Sequence, residues 1–567
     1  MVEKLLPRTW MRLLVILLVG GLAYSGILNS PFVFDDQSNI INNGALRDFR
    51  NFWPPTMTRW VASLTFAINL RLGGLDTFGF HVVNVAIHLV VAVLVYALAL
   101  LTLQTPFLSS PPPKGSEDDG GDDGSIAFFT ALIFVVHPVQ TQSVTYVVQR
   151  YTSLATLLYL LALVLYLTWR SGLEPGSARR GATSGGGVFW WGPSAANHPD
   201  AGSGAQQRAV RRRLARAGFL YAGCVASTVL AMKTKEIAFT LPVVVLLYES
   251  LLFEGVGSRR FFALAPLLAA MLIIPGDRYV LAMSSGGRFS LDQATRFLTE
   301  MPRAHYVLTQ LPVLVTYLRL LFFPVGLNLD HDFPVFDSFA TPAVAGSFVV
   351  LVVVGGLGLT CARFAARAAK NRGAAGATGR RRSFGLVAFG IFWFFITVSV
   401  ESSFIALTEV ISENRLYLPS VGVILAFVGG LHGLAGVLGR KCSRRQAAAR
   451  LLPLLLAGTA AALLTATLMR NYVWRDTSAL CEDMVRKSPR SPRAHNNRGL
   501  AYLSANLTDK AIEEFLTSLR LDPGNAIPHY NLALAYRKQG LLVQAAEHAR
   551  LYRQAEMAAK PGRQDSP

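Results

Sequence analysis

The sequence predicts an all-α protein, a polytopic bundle of about eleven membrane-spanning helices followed by a short solenoid of paired helices. Three observations carry that prediction. Apolar residues make up 52% of the chain and charged ones 16%, with a mean hydropathy of +0.38, where soluble domains carry roughly 25% charge. Apolar runs long enough to cross a hydrocarbon core of about 30 Å recur along most of the length. The last hundred or so residues, by contrast, are polar and repeat with a fixed period.

Lys and Arg mark the cytoplasmic loops, so orientation can be read span by span. The first run, 13–28, follows Lys4, Arg8 and Arg12. It has no clear small-x-small cleavage site and reads as an uncleaved span. With the basic start inside, Asp35 and Asp36 emerge outside. Run 78–103 returns to a Pro/Gly-rich acidic loop, 105–125, that reads as disordered. Run 126–136 is short for a span and comes out at His137-Pro138, and 152–169 goes back to a Gly/Ser/Arg linker, 170–216. Runs 217–232, 237–253 and 261–274 follow. Counted as a span, 308–323 would strand the basic loop 363–382 outside; as an interfacial or re-entrant segment it leaves that loop inside. Runs 344–361, 384–400, 416–438 and 451–469 complete the set. An odd count puts the tail on the side of Asp35, together with "HPVQTQS", "KTKE", "NLDHDFP" and "SENRLYLPS".

In the tail, "HNNRGLAYLSANLTDKA" from His495 reappears as "HYNLALAYRKQGLLVQA" from His529, an offset of 34. That period, with Gly499, Ala501, Tyr502 and Ala511 matching Ala533, Ala535, Tyr536 and Ala545, is the tetratricopeptide signature of helix pairs. Pro489 and Pro523 end the second helices, and a half-repeat at 474–488 caps the stack. The expected division is a membrane domain, 1–470, and a repeat domain, 471–567, whose concave face would bind a protein.

Net charge of +20 invites a nucleic-acid partner. The arginines sit instead in short loops between apolar runs (Arg211 to Arg213, Arg380 to Arg382, 440–445), which is topology and not a groove for phosphates, so no nucleic-acid partner is expected. Cys224, Cys361, Cys442 and Cys481 have no metal spacing.

Ionisable residues at membrane depth are costly and read first as functional. Asp35 and Asp36 follow Phe32, Val33 and Phe34, so partial desolvation should raise at least one pKa and suit it to general-base work; a loop turn or helix cap is the other reading. His81, Asn84 and His88 form one helical stripe with no further metal ligand at a suitable offset, which favours interhelical hydrogen bonds. Arg150, Lys233, Lys235, Arg319 and Arg415 fall near outer span ends. They could grip a lipid phosphate or serve as interfacial anchors. Asp330, His331 and Asp332 offer oxygen and imidazole ligands to a divalent metal, or form a turn before Pro334.

"FVFDD", "FGFHVVNVAIH", "HPVQTQSVTYVVQR", "KTKEIAFTLP", "YLRLLFFPVGLNLDHDFP" and "ENRLYLPSVG", in that order and ahead of the repeats, resemble the transmembrane O-mannosyltransferases with tetratricopeptide repeats and their bacterial relatives, of the type-C glycosyltransferase class. The resemblance covers nearly the whole chain. It implies a polyprenyl-phosphate-linked sugar as donor, no certain cofactor, and an acceptor protein met through the repeats. By it, Asp35 would deprotonate a Ser or Thr hydroxyl, and Asp36 would hold the acceptor or position its partner. Attack inverts the anomeric carbon and expels the lipid phosphate, which cations stabilise. Arg415 is the first choice for that phosphate, then Arg150 and Lys235. Glu236 matches the family's Lys-Glu pair and His137 its His-Pro turn, whereas Gln142 stands where relatives commonly carry Glu. The Ala/Gly/Arg-rich composition and short array point to a bacterial inner membrane with a periplasmic site, or the endoplasmic reticulum if the source is eukaryotic. Two other classes compete. One is a non-catalytic scaffold anchoring a repeat platform. The other is a lipid-sugar transporter, which would show internal repeats of spans; none is found.

Overall fold

The computed structural model describes residues 2–55, 59–109, 121–172, 203–253, 258–284, 301–370, 377–403, 405–441 and 445–558. Among these there are twenty α-helices and no strand. In the membrane domain they are α1 (Val2–Tyr24), α2 (Trp60–Gly73), α3 (Thr77–Leu103), α4 (Gly121–Val136), α5 (Thr141–Thr145), α6 (Arg150–Gly172), α7 (Ser203–Met232), α8 (Leu241–Leu251), α9 (Ser258–Ala270), α10 (Ile273–Ser284), α11 (Arg303–Phe322), α12 (Pro342–Lys370), α13 (Ala377–Val398), α14 (Pro419–Lys441) and α15 (Arg445–Val473). The tail holds α16 (Thr477–Lys487), α17 (Pro492–Ser504), α18 (Thr508–Leu521), α19 (Ala526–Lys538) and α20 (Leu542–Ala558). Most of both predicted linkers, 105–125 and 170–216, lies outside the described residues; within them, 121–125 and 203–216 are helical.

Among the described residues nine helices are long and apolar enough to cross a membrane, or ten if the pair Asp123–Val136 and Pro138–Thr145, bent by 52°, counts as one. Pro138 causes that bend, because a helix seldom continues through the residue before a proline. The expected eleventh span, 237–253, does not qualify on length. It is a 3-10 turn, Glu236–Thr240, followed by the 11 residues of α8, only about 16 Å of helix. Yet it runs beside α6 from end to end. Lys235 Nζ donates to Thr152 Oγ1 (2.9 Å) at one end, and Glu249 Oε1 accepts from Tyr166 Oη (2.8 Å) and Arg170 Nε (2.9 Å) at the other.

Segment 308–323 is not re-entrant. It lies in α11, one continuous helix of 20 residues that is absent from the candidate spans. Both its ends meet the same end of the bundle: Tyr306 Oη donates to the Glu401 carbonyl (2.8 Å), and the Leu321 carbonyl bonds His137 Nε2 (3.0 Å). It therefore lies across that end, as an interfacial helix does.

The predicted polar stripe of α3 is buried and joins helices. His88 bonds Tyr417 Oη (2.7 Å) and the Val135 carbonyl, Asn84 donates to the Val144 carbonyl (3.1 Å), and His81 bonds the Ser30 carbonyl (3.0 Å). Small residues close the α13–α14 seam: a Cβ at Gly390 would collide with the Gly422 carbonyl, and Gly429 and Gly433 face Leu386 and Ser383, the close backbone approach expected between membrane helices.

In the tail, α17–α18 and α19–α20 are the two full repeats and α16 the half-repeat. Ala511, Phe515, Leu532 and Ala535 are their shared core. Gly499 is required there, since a Cβ would lie 2.5 Å from the Phe515 ring.

Candidate active site

The chain leaves α1 and turns at Phe34, whose φ of 44° is unfavourable for a bulky side chain. Such outliers persist where the surroundings over-determine them, often at functional sites. The next two residues begin a helical turn that runs into a π-helix, Gln37–Ile41. This turn separates the paired carboxylates. Asp36 points inward, fully buried, and accepts the N–H of Val33 (2.9 Å) and of Val148 (2.7 Å), one on each oxygen. Burial pushes its carboxyl from the usual 3.8 up to about 7, against the pull of those two donors. Asp35 points out and is exposed. Its backbone N–H donates to Tyr146 Oη (2.8 Å) and its carbonyl accepts from Asn39 Nδ2 (2.9 Å). Among the described residues no hydrogen bond reaches its carboxylate. Tyr146 is held a neutral phenol, its pKa raised by burial first and then by the Asp35 and Asp36 charges.

Beside this pair a series of polar contacts runs across the end of the bundle. Val148 is followed by Gln149, whose Oε1 accepts from Asn414 Nδ2 and from Thr152 Oγ1 (3.1 Å). Thr152 accepts from Lys235, which pairs with Glu401 at 2.9 Å. The Glu401, Val410 and Glu409 carbonyls all accept from Arg415, the last at 2.6 Å. Glu409 pairs with Arg493 of α17, on which the charges of Asp330 and Asp35 also act. The repeat domain thus stands on the same end of the bundle as the acidic pair.

The structure places the other predicted residues as follows. Arg150, expected as a phosphate ligand, is buried in a set of protein contacts: Nε donates to Asn84 (2.6 Å), Nη1 to Asn69 (2.6 Å) and Thr65 (3.3 Å), Nη2 to the Phe80 carbonyl (3.0 Å), and the guanidinium lies over the Phe66 ring. Only one of its five N–H groups is left. His137 caps the turn it begins, Nδ1 accepting from Val139 N–H (3.2 Å). Glu236 pairs with Arg59 (3.3 Å) and Arg278 (3.1 Å); burial alone would raise its carboxyl, but Arg59, then Arg278 and Lys235, hold it at about 2. Arg415 is buried among tyrosines and carbonyls. Burial works against its charge, but Tyr317 and Tyr306 and then Glu401 and Glu409 outweigh it and raise its pKa.

Asp330, His331 and Asp332 do not converge on a metal. Asp330 Oδ2 accepts from Ser491 Oγ (2.5 Å), His331 Nε2 meets Glu413 (3.0 Å), and Asp332 pairs with Arg490 (3.1 Å). No group of three His, Cys, Asp or Glu side chains that could hold a metal occurs among the described residues. Burial raises the Asp330 carboxyl. Gln142 joins the 412–414 segment, its Oε1 accepting from Asn414 N–H (2.9 Å) and its Nε2 donating to Ser412 Oγ (3.3 Å). Sequence reasoning missed Tyr146, Glu401, Glu409 and Arg493. Tyr146 lay inside a quoted motif and the two glutamates beside another, so proximity to "SENRLYLPS" was a usable signal; Arg493, in a Pro/Arg/Ser turn, carried none.

A bundle of helices long and apolar enough to cross a membrane, with a tetratricopeptide array docked on one end, describes an integral membrane protein. A family model for the TPR repeat matches residues 506–540, spanning α18 and α19. The chain is 25% identical over 563 residues to human protein O-mannosyl-transferase TMTC1, covering 91% of this chain and 56% of that protein. It is 25% identical over 597 residues to mouse TMTC1, covering 90% and 58%, and 22% identical over 550 residues to mouse protein O-mannosyl-transferase TMTC3, covering 92% and 52%. The resemblance read from the motifs thus holds over most of this chain, which spans little more than half the length of these relatives. No solved structure matches it.

Proposed function

We propose that this protein transfers a sugar, mannose by the relatives' names, from a polyprenyl-phosphate donor to a Ser or Thr hydroxyl of an acceptor protein. The observation that supports this best is the division of labour in the acidic pair: Asp36 locks the loop through two buried N–H bonds and leaves the neighbouring Asp35 carboxylate exposed and without a hydrogen bond.

Asp35 takes the proton of the acceptor hydroxyl as its oxygen attacks the anomeric carbon from the side opposite the phosphate. The new C–O bond forms, the old one breaks, and configuration inverts. The departing lipid phosphate carries the charge, and a cation already in place stabilises it without reorganisation. Lys235 fills that role on this reading: its ammonium has an acidic partner, Glu401, that an incoming phosphate can replace. Arg415 acts one step back, fixing the backbone of Glu401, Glu409 and Val410.

Side follows from charge. The basic residues Arg170, Arg381 and Arg382 sit at the bundle end away from Asp35, with Glu249, the Ser109 carbonyl and Asp123, and Lys/Arg excess marks the cytoplasm. The site and repeats then face the periplasm in a bacterial inner membrane, or the lumen in an endoplasmic reticulum membrane.

Purified chain given labelled polyprenyl-phosphate mannose and an acceptor should place label on Ser or Thr with inverted configuration. Label arriving only from a sugar nucleotide, or with retention, contradicts the reading. A non-catalytic scaffold, favoured by the many bonds that dock the repeats, predicts no label at all.

A further inference from the structure

We propose that Arg493, on the first full repeat, is a positioning residue of the transfer site, so that the repeat domain completes the site as well as meeting acceptors. This inference rests on the transferase reading above.

The docking is extensive and specific. Ser488 Oγ donates to the Asp330 carbonyl (2.7 Å) and accepts from Asn328 Nδ2 (2.9 Å) and Asp332 N–H (3.0 Å), while Lys487 Nζ donates to the Leu327 carbonyl (2.7 Å). The α16–α17 turn is therefore stitched to loop 327–332, and α17 starts at a fixed place above the site. Trp474, at the root of the repeats, packs on Tyr146, ring centroids 5.8 Å apart, and Tyr146 in turn holds the Asp35 backbone.

At that place Arg493 pairs with Glu409 of the 399–412 loop, and two residues before it Ser491 Oγ donates to Asp330 Oδ2 (2.5 Å). The Asp330 and Asp35 charges also favour its guanidinium. Without Arg493 the Glu409 carboxylate loses its cation, and the loop whose backbone Arg415 clamps loses its tie to the repeat. Its side chain is 41% exposed, so solvent and substrate reach it. Its pairing with Glu409 assigns it to the protein and not to a donor phosphate.

The test compares Arg493→Ala and Arg493→Lys with wild type on two acceptors, a whole protein and a short Ser/Thr peptide too small to occupy the repeats. Arg493→Ala is expected to lower kcat on both by about ten- to a hundredfold, the cost of a small displacement of reacting groups, with the donor KM unchanged and Arg493→Lys restoring most of the rate. Loss on the protein acceptor alone, or a change confined to KM, would show that the repeats only capture acceptors and would overturn the inference while leaving the transferase reading intact. A wild-type chain that labels neither acceptor in an Asp35-dependent way removes both. Unchanged protease resistance of the repeats in Arg493→Ala separates positioning from unfolding.

Discussion

The two adjacent aspartates should respond to mutation in opposite ways, and the structure sets the size of the difference. Asp36→Ala removes both acceptors of the Val33 and Val148 N–H groups, 2.9 and 2.7 Å away. Those residues are 3% and 4% exposed, so water does not replace what is lost. A buried donor left without a partner costs about 1–3 kcal/mol, which gives about 2–6 kcal/mol for the pair. Asp36→Asn keeps one acceptor and turns an N–H toward the other donor, so it should fall near half that range. Asp35→Asn touches no hydrogen bond of the folded chain and should stay within about 0.5 kcal/mol of wild type, as surface changes usually do. Thermal unfolding of detergent-purified variants, followed by size-exclusion recovery, reads the stabilities; donor-to-acceptor transfer reads turnover. The expected pattern is Asp36→Ala unstable, and Asp35→Asn stable and inactive. A destabilised Asp35→Asn together with a robust, active Asp36→Ala would refute the assignment of pin and base.

Further expectations follow from particular contacts. The folded-state pKa of Asp36, about 7, lies above its usual 3.8, so its contribution to stability is complete below about 3.8, is lost as pH rises toward 7 and changes no further above it; the melting temperature of wild type should fall between pH 4.5 and 7 more steeply than that of Asp36→Asn, and parallel curves would dismiss burial as the cause. Gly499→Ala puts a methyl against the Phe515 ring and should destabilise the first repeat by about 1–3 kcal/mol, seen as faster proteolysis between α17 and α18; unchanged cleavage would contradict the packing. Arg150→Lys keeps the charge but loses the fork that reaches Asn84, Asn69 and the Phe80 carbonyl, so yield and thermal stability should drop while the donor KM of the surviving protein holds. A raised donor KM would return Arg150 to the phosphate site.

Much of the architecture was legible because hydropathy and period act over long windows. Apolar runs located α3, α6, α12 and α14, and the offset of His495 and His529 located both helix pairs. Departures came where local chemistry interrupts a run: Pro138 bends the α4–α5 segment, and a 3-10 turn before Pro242 shortens α8 below the length a hydropathy window needs. For the candidate site the sequence picks out residues but not their partners. Sequence shows that Arg150, Lys235 and Arg415 are cations near one membrane face, but not that Arg150 is already engaged by Asn84, Asn69 and Thr65, partners 66 to 85 positions away. The same limit hid Arg493, whose partner Glu409 lies 84 positions away on another element.

The central claim is that Asp35 removes the proton from the acceptor alcohol. Its most direct measurement is single-turnover transfer from polyprenyl-phosphate mannose to a Ser/Thr peptide by wild type and Asp35→Asn, at matched protein and with donor binding measured in parallel. The account predicts equal donor binding and loss of transfer by at least about a hundredfold, within the range general-base catalysis contributes. Transfer at the wild-type rate by Asp35→Asn would contradict it.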